Sequence, residues 1–555
     1  AGAGTGPAGR PAARLRGRHR VVKSTTVTLC TLAAVLSCAA PHQAGGAGRS
    51  EANTAPPASA TARPGVASIA GSGGPALPGE CVPSGKGKDY QVGPGPGQLA
   101  ALNLVPWERL RAGDTVRIFW RPTPYLGKFL VSAKGTADKP VRVCGVKGPE
   151  GERPVIDGKN AVSRPGLDYG HPLHESRTIV LIHRLGAQDY RYFPEHIIIE
   201  GLELTGQYPS YSFTDAAGKA QRYADFGACI WIERGHHLTI RDNVIHDCAN
   251  GIFSKSLDEG EFTITKDLLI QGNHIYDCGL VNDYHAHDSY LQSLGVTYEL
   301  NHYGPQRKGG LGSALKDRSV GAVIRYNHLD GCARSLDLVE AEDWSSTALK
   351  DPRYRTTLVY GNLITTSTDA GGIPIHYGGD HAGGLAGQGW GEPIYRKGVL
   401  FFFNNTMVVS GDTLIHHLFQ LSTTDEHAEI FNNVFYHSGK VTFMGLRTGQ
   451  EVGKGYTAGG TINLGVNWMN RGWVENDEYH PVPGPVSGKG KMLVGAEPPI
   501  ALGTFRPLPG SAAIDAAQAF PPPALPVLLE YTHDRKGRLR TIRGSSIDLG
   551  AFEAN

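Results

Sequence analysis

The sequence predicts an all-β chain wound as a right-handed parallel β-helix, a solenoid with a short N-terminal cap and a C-terminal closing segment. Three observations carry the prediction. A phrase built on an asparagine occurs eight times, the spacing of its copies is close to one solenoid coil of about 30 residues, and the residues around it alternate apolar and polar.

The phrase is an apolar residue, two further positions, asparagine, then an alternating run that ends on a small residue. It is clearest at Ile240-Arg-Asp-Asn243-Val-Ile-His-Asp-Cys248 and Ile270-Gln-Gly-Asn273-His-Ile-Tyr-Asp-Cys278. Further copies centre on Asn301, Asn327, Asn362, Asn405, Asn433 and, more weakly, Asn467, at successive intervals of 30, 28, 26, 35, 43, 28 and 34 residues. Val, Ile, Phe and Tyr alternating at period two favour strands over helical repeats of similar length. In such a coil alternate side chains point inward to stack on the next coil. The turn asparagine tolerates left-handed dihedrals and bonds to its equivalents. One coil cannot bury its own apolar row, so stability arises between neighbours.

The 555 residues contain 74 glycines and 36 prolines, a turn-rich composition, and the net charge of +2 gives no whole-chain argument for nucleic acid or membrane binding. Residues 1–40 read as a signal region: Arg14, Arg16, Arg18, Arg20 and Lys23 precede a short apolar stretch, Val27 to Leu36. That stretch is too short to span a bilayer. It ends at Leu36-Ser37-Cys38, which resembles a bacterial lipobox, so either lipidation of Cys38 or simple cleavage is expected. The first methionine is Met407, and a start codon read here as Val22 would leave Lys23 to Ala40 as a compact signal peptide. Residues 41–79, rich in Ala, Gly, Pro and Ser, bury too little to order and are expected to form a tether. The β-helix then fills 80–555. The expected protein is exported and monomeric, with the cell envelope or the outside as its place and the lipid as its one link to a membrane. Cys81 and Cys144 suit either a disulfide stapling the N-terminal cap or two separate thiols. Cys248, Cys278 and Cys332, just after equivalent turns, read as a small apolar stack.

The strand after each asparagine turn is where chemistry is expected. Aligned, these strands give Gly251 to Lys255, Asp288 to Gln292, Ser313 to Arg318, Ser335 to Glu340, Gly372 to Tyr377 and Thr413 to His417. With aliphatic residues taken inward, the outward set contains Lys255, Tyr290, Gln292, Lys316, Asp337 and His376. Irregular spacings border it. Asp283-Tyr-His285-Ala-His287-Asp288 is an insertion on one side, and His376-Tyr377-Gly-Gly-Asp380-His381 falls in the longest interval. His416 and His417 adjoin on one strand, so one of them is expected to face the groove. After Asp337 come Glu340, Glu342, Asp343 and Trp344, where the three acids suit a calcium site, a pair of glycosidase carboxylates or a solvated turn. A groove of acids, bases and aromatics such as Trp344 fits a polysaccharide.

The segment Ser313-Ala-Leu-Lys316-Asp-Arg318-Ser-Val-Gly-Ala-Val-Ile-Arg-Tyr-Asn327, followed by Ser335-Leu-Asp-Leu, is similar to the lysine-bearing strand and turn of β-helix polysaccharide lyases of the chondroitinase B and alginate lyase group. The resemblance implies cleavage of an anionic polysaccharide by β-elimination. Lys316 would abstract the proton α to a uronate carboxyl, Arg318 would help electrostatically, and His287, Tyr290 and His376 would be acid or base partners. Lys255, His285, Asp288, Gln292, Asp337, Tyr377, Asp380, His381, His416 and Trp344 would bind substrate. Calcium on Glu340, Glu342 and Asp343 would neutralise the carboxylate. The family's arginine on the next coil has no match, because that strand reads Leu336-Asp337-Leu338-Val339-Glu340. A lysine base needs its pKa lowered, and Arg318 is the neighbour that could lower it. The alternative for Lys316, Asp317 and Arg318 is a surface salt-bridge ladder. A glycoside hydrolase or a glycan-binding surface protein would share the same fold.

Overall fold

The computed structural model describes residues 80–381, 391–449, 459–476 and 482–555. The expected signal region, Cys38 and the tether lie outside the described residues.

Every asparagine phrase is a corner between two strands. The strand entering it belongs to a first sheet of 13 parallel strands in chain order, from Asp89–Val92 to Val486–Ser487. The strand leaving it starts a second parallel sheet, and the strand after that belongs to a third. Around Asn243 these are His236–Arg241, Val244–Cys248 and Asn250–Ser254. The result is a right-handed parallel β-helix. Among the described residues the helices are short, Pro172–Ser176 and Ser345–Ala348 being α-helical, and none is long and apolar enough to cross a membrane.

Inward rows run the length of the solenoid. In the first sheet Ile199, Ile240, Ile270, Tyr298, Ile324, Val359, Phe402, Ile430 and Leu464 stack in register, all fully buried. A fully buried aliphatic side chain stabilises by about 1.5–3 kcal/mol, and the gain exists only because the next coil supplies the other half of the contact.

The rung asparagines are fully buried and form one continuous ladder. Asn243 donates through Nδ2 to Oδ1 of Asn273 at 3.1 Å, and the pattern repeats through Asn301, Asn327, Asn362, Asn405 and Asn433 to Asn467. The left-handed residue is the one before seven of the eight asparagines, not the asparagine itself: Asp242, Gly272, Leu300, Tyr326, Gly361, Asn404 and Asn432 have φ between 48° and 66°. That conformation costs a non-glycine residue about 1–2 kcal/mol, and it throws the side chain outward. Leu300 and Tyr326 are covered there by Val527 and Leu529. The closing segment is thus a strap folded back along the asparagine corner. It is pinned where Leu528 N–H donates to the Tyr326 hydroxyl (3.0 Å), Arg535 Nε to Gly272 O (3.0 Å) and Gly550 N–H to Asn432 O (2.8 Å).

Cys81 and Cys144 are disulfide-bonded, stapling the N-terminal cap. The three cysteines expected as a small apolar stack all lie in the buried core, but Cys248 is also bonded to Cys229, while Cys278 and Cys332 are thiols.

Candidate functional site

On the third sheet the register lines up Trp231, Phe253, Tyr290, Lys316, Asp337, His376 and Gln420 on the outward face, one per coil. The column turns from aromatic to ionic at Tyr290. Their chain neighbours Leu291, Asp317, Leu338, Tyr377 and Leu421 point inward in the adjacent row. Lys255, Gln292 and Arg318 form a parallel outward line, so the alignment of strands brings the expected polar face together.

Lys316 is buried, and its Nζ lies 2.8 Å from Asp337 Oδ2 and in contact with Asp380 Oδ2. Burial alone would loosen its proton, but the two carboxylates outweigh burial and Arg318 and raise its pKa above the usual lysine value. The expected lowered lysine is therefore corrected: Lys316 rests as an ammonium. Burial likewise works against charge on Asp337 and Asp380, yet Lys316 with Arg334 and Arg318 with Lys316, respectively, hold them well below the ordinary carboxylate range.

Arg318 is the hub of a second layer. Its guanidinium donates to both oxygens of Asp380 (2.9 and 3.1 Å), to the Tyr290 hydroxyl (2.8 Å) and to the carbonyl of Glu340 (2.8 Å), and sits 3.2 Å from Glu340 Oε2 and 3.3 Å from Glu342 Oε2. Tyr290 in turn donates to Glu342 at 2.6 Å. His381 lies 2.7 Å from Glu340 and 3.1 Å from Glu342. Burial lowers its pKa, but the Glu340 hydrogen bond and Asp380 outweigh that and raise it. The surface salt-bridge ladder is excluded by this geometry. Asp317 faces inward, accepting from Tyr298 (2.8 Å) and from the fully buried Arg396 (2.7 Å).

The three acids expected to hold calcium are already engaged. Glu340 and Glu342 take Arg318 and His381, and Asp343 accepts from Gln292 at 2.8 Å, its pKa raised by burial with help from Glu342. Calcium wants about six to eight oxygens around one point. Here the oxygens face a guanidinium that is itself buried, so this donor set does not fit calcium. Glu340, Asp380 and His381 do bring ligand atoms within 4.8 Å of one another, but the first two are committed to Arg318 and Lys316.

His376 Nδ1 lies 2.7 Å from Asp337 Oδ1 and 2.8 Å from Arg334 Nη1, with Nε2 3.0 Å from the Ser422 hydroxyl. Burial, and then Arg334, lowers its pKa. His287 accepts the Ser313 N–H at Nδ1 (2.8 Å), which leaves its proton on Nε2, and this atom has no partner among the described residues. Burial, and then Lys316, lowers its pKa well below the usual histidine range. Lys255 stands at the near edge, 3.6 Å from Glu233.

Beside this network opens a cleft of about 530 Å³ lined by Tyr284, Arg334, Gln420 and both His416 and His417, so the expectation that one histidine faces the groove is corrected. His416 is held near pKa 4 by burial and by His437 and His417. Arg334 joins cleft to network, 2.9 Å from Asp337 Oδ1 and with 27% of its side chain exposed. Sequence reasoning missed it because it opens its strand beside a turn. It stands three residues before Asp337, on the coil where the resemblance implies an arginine.

Four expected binding residues lie elsewhere. Asp288 is fully buried against Cys332 Sγ at 3.6 Å, and burial raises its pKa well above the usual range. Tyr377 is in the inward row, as strict alternation after His376 requires. Trp344 is buried in a satellite core with Ile264, Val320 and Tyr354. His285 is exposed, 3.2 Å from Asp283, and its neighbour Tyr284 lines the cleft instead.

No protein-family model matches the chain, and no curated protein matches it. Solved structures similar to it include an alginate lyase from Paenibacillus sp. str. FPU-7, at 15% identity over 60% of this chain and 92% of that one, with a TM-score of 0.34. Pectate lyase Pel9A is 11% identical over 84% of this chain and 97% of its own (TM-score 0.33). XylC in complex with xylose is 12% identical over 70% and 82% (TM-score 0.39). These likenesses are distant; the fold stands on the strand register, and the chemistry on the side chains themselves.

Proposed function

We propose that the protein is an exported enzyme that cleaves an anionic polysaccharide by β-elimination. The observation that carries the reading is Arg334, a partly exposed guanidinium that lines the cleft and touches the buried Lys316–Asp337–Asp380 network through Asp337. An arginine in that position matches a carboxylate on the glycan in both charge and shape. Pairing the carboxylate with a cation acidifies the C–H beside it, because negative charge that develops on the carboxylate in the transition state is stabilised.

Lys316 is then the acid and base. Of its two carboxylate partners, Asp380 is the one on a connecting segment rather than a strand, with 22% of its side chain exposed. When hydroxyl groups of the glycan draw Asp380 away, burial and Arg318 act on Lys316 against Asp337 alone, its pKa falls, and the ammonium releases its proton to solvent to leave a neutral amine. Lys316 takes the proton from the carbon next to the carboxyl group. The electron pair forms the carbon–carbon double bond as the bond to the glycosidic oxygen breaks, and the new ammonium returns the proton to that oxygen. Export is supported by the basic residues Arg14 to Lys23 and the apolar stretch Val27 to Leu36 that follows them, ending at Cys38, which suits either lipidation or simple cleavage.

Hydrolysis is the second reading: burial raises the pKa of Asp343 while Asp337 is held ionised, and glycosidases use one protonated and one ionised carboxyl group. A panel of acidic and neutral polysaccharides separates the readings. Unsaturated uronates absorbing in the ultraviolet are the expected product. Reducing ends without that absorbance would replace elimination with hydrolysis, and binding without either product would remove catalysis.

A further inference from the structure

We propose that the corner leading from the third sheet into the first carries a divalent transition-metal site, in which His196, His237 and Glu195 with Asp267 bind Zn²⁺ or Cu²⁺ in preference to Ca²⁺. The site is independent of the glycan cleft. The register pairs Ile197 with Leu238 and Leu238 with Leu268, so His196, His237 and Asp267 occupy the same corner of three successive coils.

All three adopt left-handed backbone, with φ of 49°, 54° and 50°. The next two residues in the column are Gly295 and Gly321, at φ of 88° and 65°. Glycine meets this demand without steric cost, whereas a side chain costs about 1–2 kcal/mol. Three consecutive coils carry that cost with side chains that ligate metals, and the coils beyond them avoid it.

The side chains converge. One ligand atom from each of Glu195, His196 and His237 falls within 4.8 Å of the others, and His237 Nδ1 lies 3.1 Å from the Asp267 carboxylate. The two imidazoles stack with centroids 4.5 Å apart and planes 13° apart. Parallel rings do not share an ion, but His237 and Asp267 are 45% and 56% exposed at the side chain, which leaves room for a ring to turn. Lys266 pairs with Glu261 at the rim, while Lys134 sits 3.7 Å from Glu195 in a half-exposed pair that a bound ion would have to displace. Two imidazole nitrogens with one or two carboxylate oxygens suit Zn²⁺ or Cu²⁺, whereas Ca²⁺ requires an all-oxygen shell. A bound ion would clamp three coils together.

The test uses the full chain without a histidine tag, stripped with chelator and dialysed, then titrated calorimetrically with ZnCl₂. The expected result is one equivalent bound by the wild type, a thermal midpoint that rises with zinc, and no comparable isotherm with CaCl₂. His196→Asn and His237→Asn, which keep a residue tolerant of left-handed backbone, should each weaken zinc binding on the order of tenfold or more. The double variant should lose the thermal shift, and His381→Asn should keep both signals. A double variant that titrates like the wild type would overturn the proposal. So would a wild type that binds no zinc, or a signal lost with His381→Asn instead.

Discussion

Lys316 and Asp337 face each other at the same register on adjacent coils, Nζ and Oδ2 2.8 Å apart and both side chains buried. Neither charge could be there alone. An isolated buried ion costs several kcal/mol even after relaxation, and the low local dielectric that makes it costly also makes its partner strong. Lys316→Met should therefore destabilise by about 3–5 kcal/mol, because Asp337 and Asp380 lose a shared cation. The double variant Lys316→Met with Asp337→Leu should lose clearly less than the sum of the two single changes. Urea unfolding of the four proteins measures the coupling; additive losses would mean that the pair contributes nothing as a pair.

Asp380 sets the proton affinity of Lys316. Because the lysine pKa is raised and those of its carboxylate partners are lowered, the network stabilises across the neutral range; it is lost as alkali strips the ammonium and, at the other end, as strong acid protonates Asp337 and Asp380. In the proposed elimination the same shift acts with the opposite sign, since the base form grows only as pH climbs toward the raised value. Asp380→Asn removes one of the two carboxylates that raise it. The alkaline rise of kcat/KM should then move to lower pH than in the wild type, by about one unit or more, the scale expected of a charge within ~4–6 Å. A rate profile that does not move would detach Lys316 from the proton transfer.

The fold was legible because its signals are local and repeated. The asparagine phrase marks every corner, and the period-two alternation points each strand's side chains correctly, so Tyr290, Lys316, Asp337 and His376 could be placed on one face from their sequence neighbours alone. The misplacements have physical causes. Alternation already puts Tyr377 inward once His376 is outward, but its place beside a glycine-rich loop disguised it. Asp288 reads as a groove residue because it is ionisable, yet at the entry of its strand it is fully buried, where burial favours its neutral form. Trp344 follows three acids and reads as exposed, but the segment carrying it folds over Val320 and Tyr354. The partners supplied from far along the chain, Asp380 to Lys316 and Arg396 to Asp317, left no trace in any single strand, because contacts over 64 and 79 residues depend on how long loops return.

Arg334 separates substrate binding from network integrity. It is the most exposed cation of the Lys316, Arg318 and Arg334 set, so its loss leaves Asp337 with Lys316 and His376 still in place. Arg334→Ala should lower kcat/KM on an acidic glycan by about 10- to 100-fold, the value of a charge-assisted hydrogen bond of ~1.5–3 kcal/mol, with little change in the thermal midpoint. Arg334→Lys should recover part of the loss, since it restores charge without the fork that grips both carboxylate oxygens. Equal activity of wild type and alanine variant on the same glycan would move the carboxylate subsite elsewhere.

The asparagine ladder predicts where the solenoid is most sensitive. Asn301 Oδ1 accepts the main-chain N–H and the Nδ2 of Asn273, both at 3.0 Å, and its own Nδ2 donates to Ile270 O at 2.9 Å and to Asn327 Oδ1 at 3.0 Å. Alanine there strands buried polar groups on two coils at once. A buried polar group left without its partner costs about 1–3 kcal/mol, so Asn301→Ala should lose several kcal/mol although it removes only a small side chain. Asn301→Asp keeps the shape and the acceptor but removes the donor and adds a charge facing the Asn327 oxygen, so it should be at least as damaging near neutral pH. It should recover as the solution is acidified toward pH 4, where a carboxyl raised by burial takes up a proton and again offers a donor. Thermal unfolding of both variants across that pH range tests the ladder directly: an alanine variant within about 1 kcal/mol of wild type would mean that the coils are held by their apolar rows, with the asparagines merely filling the corners.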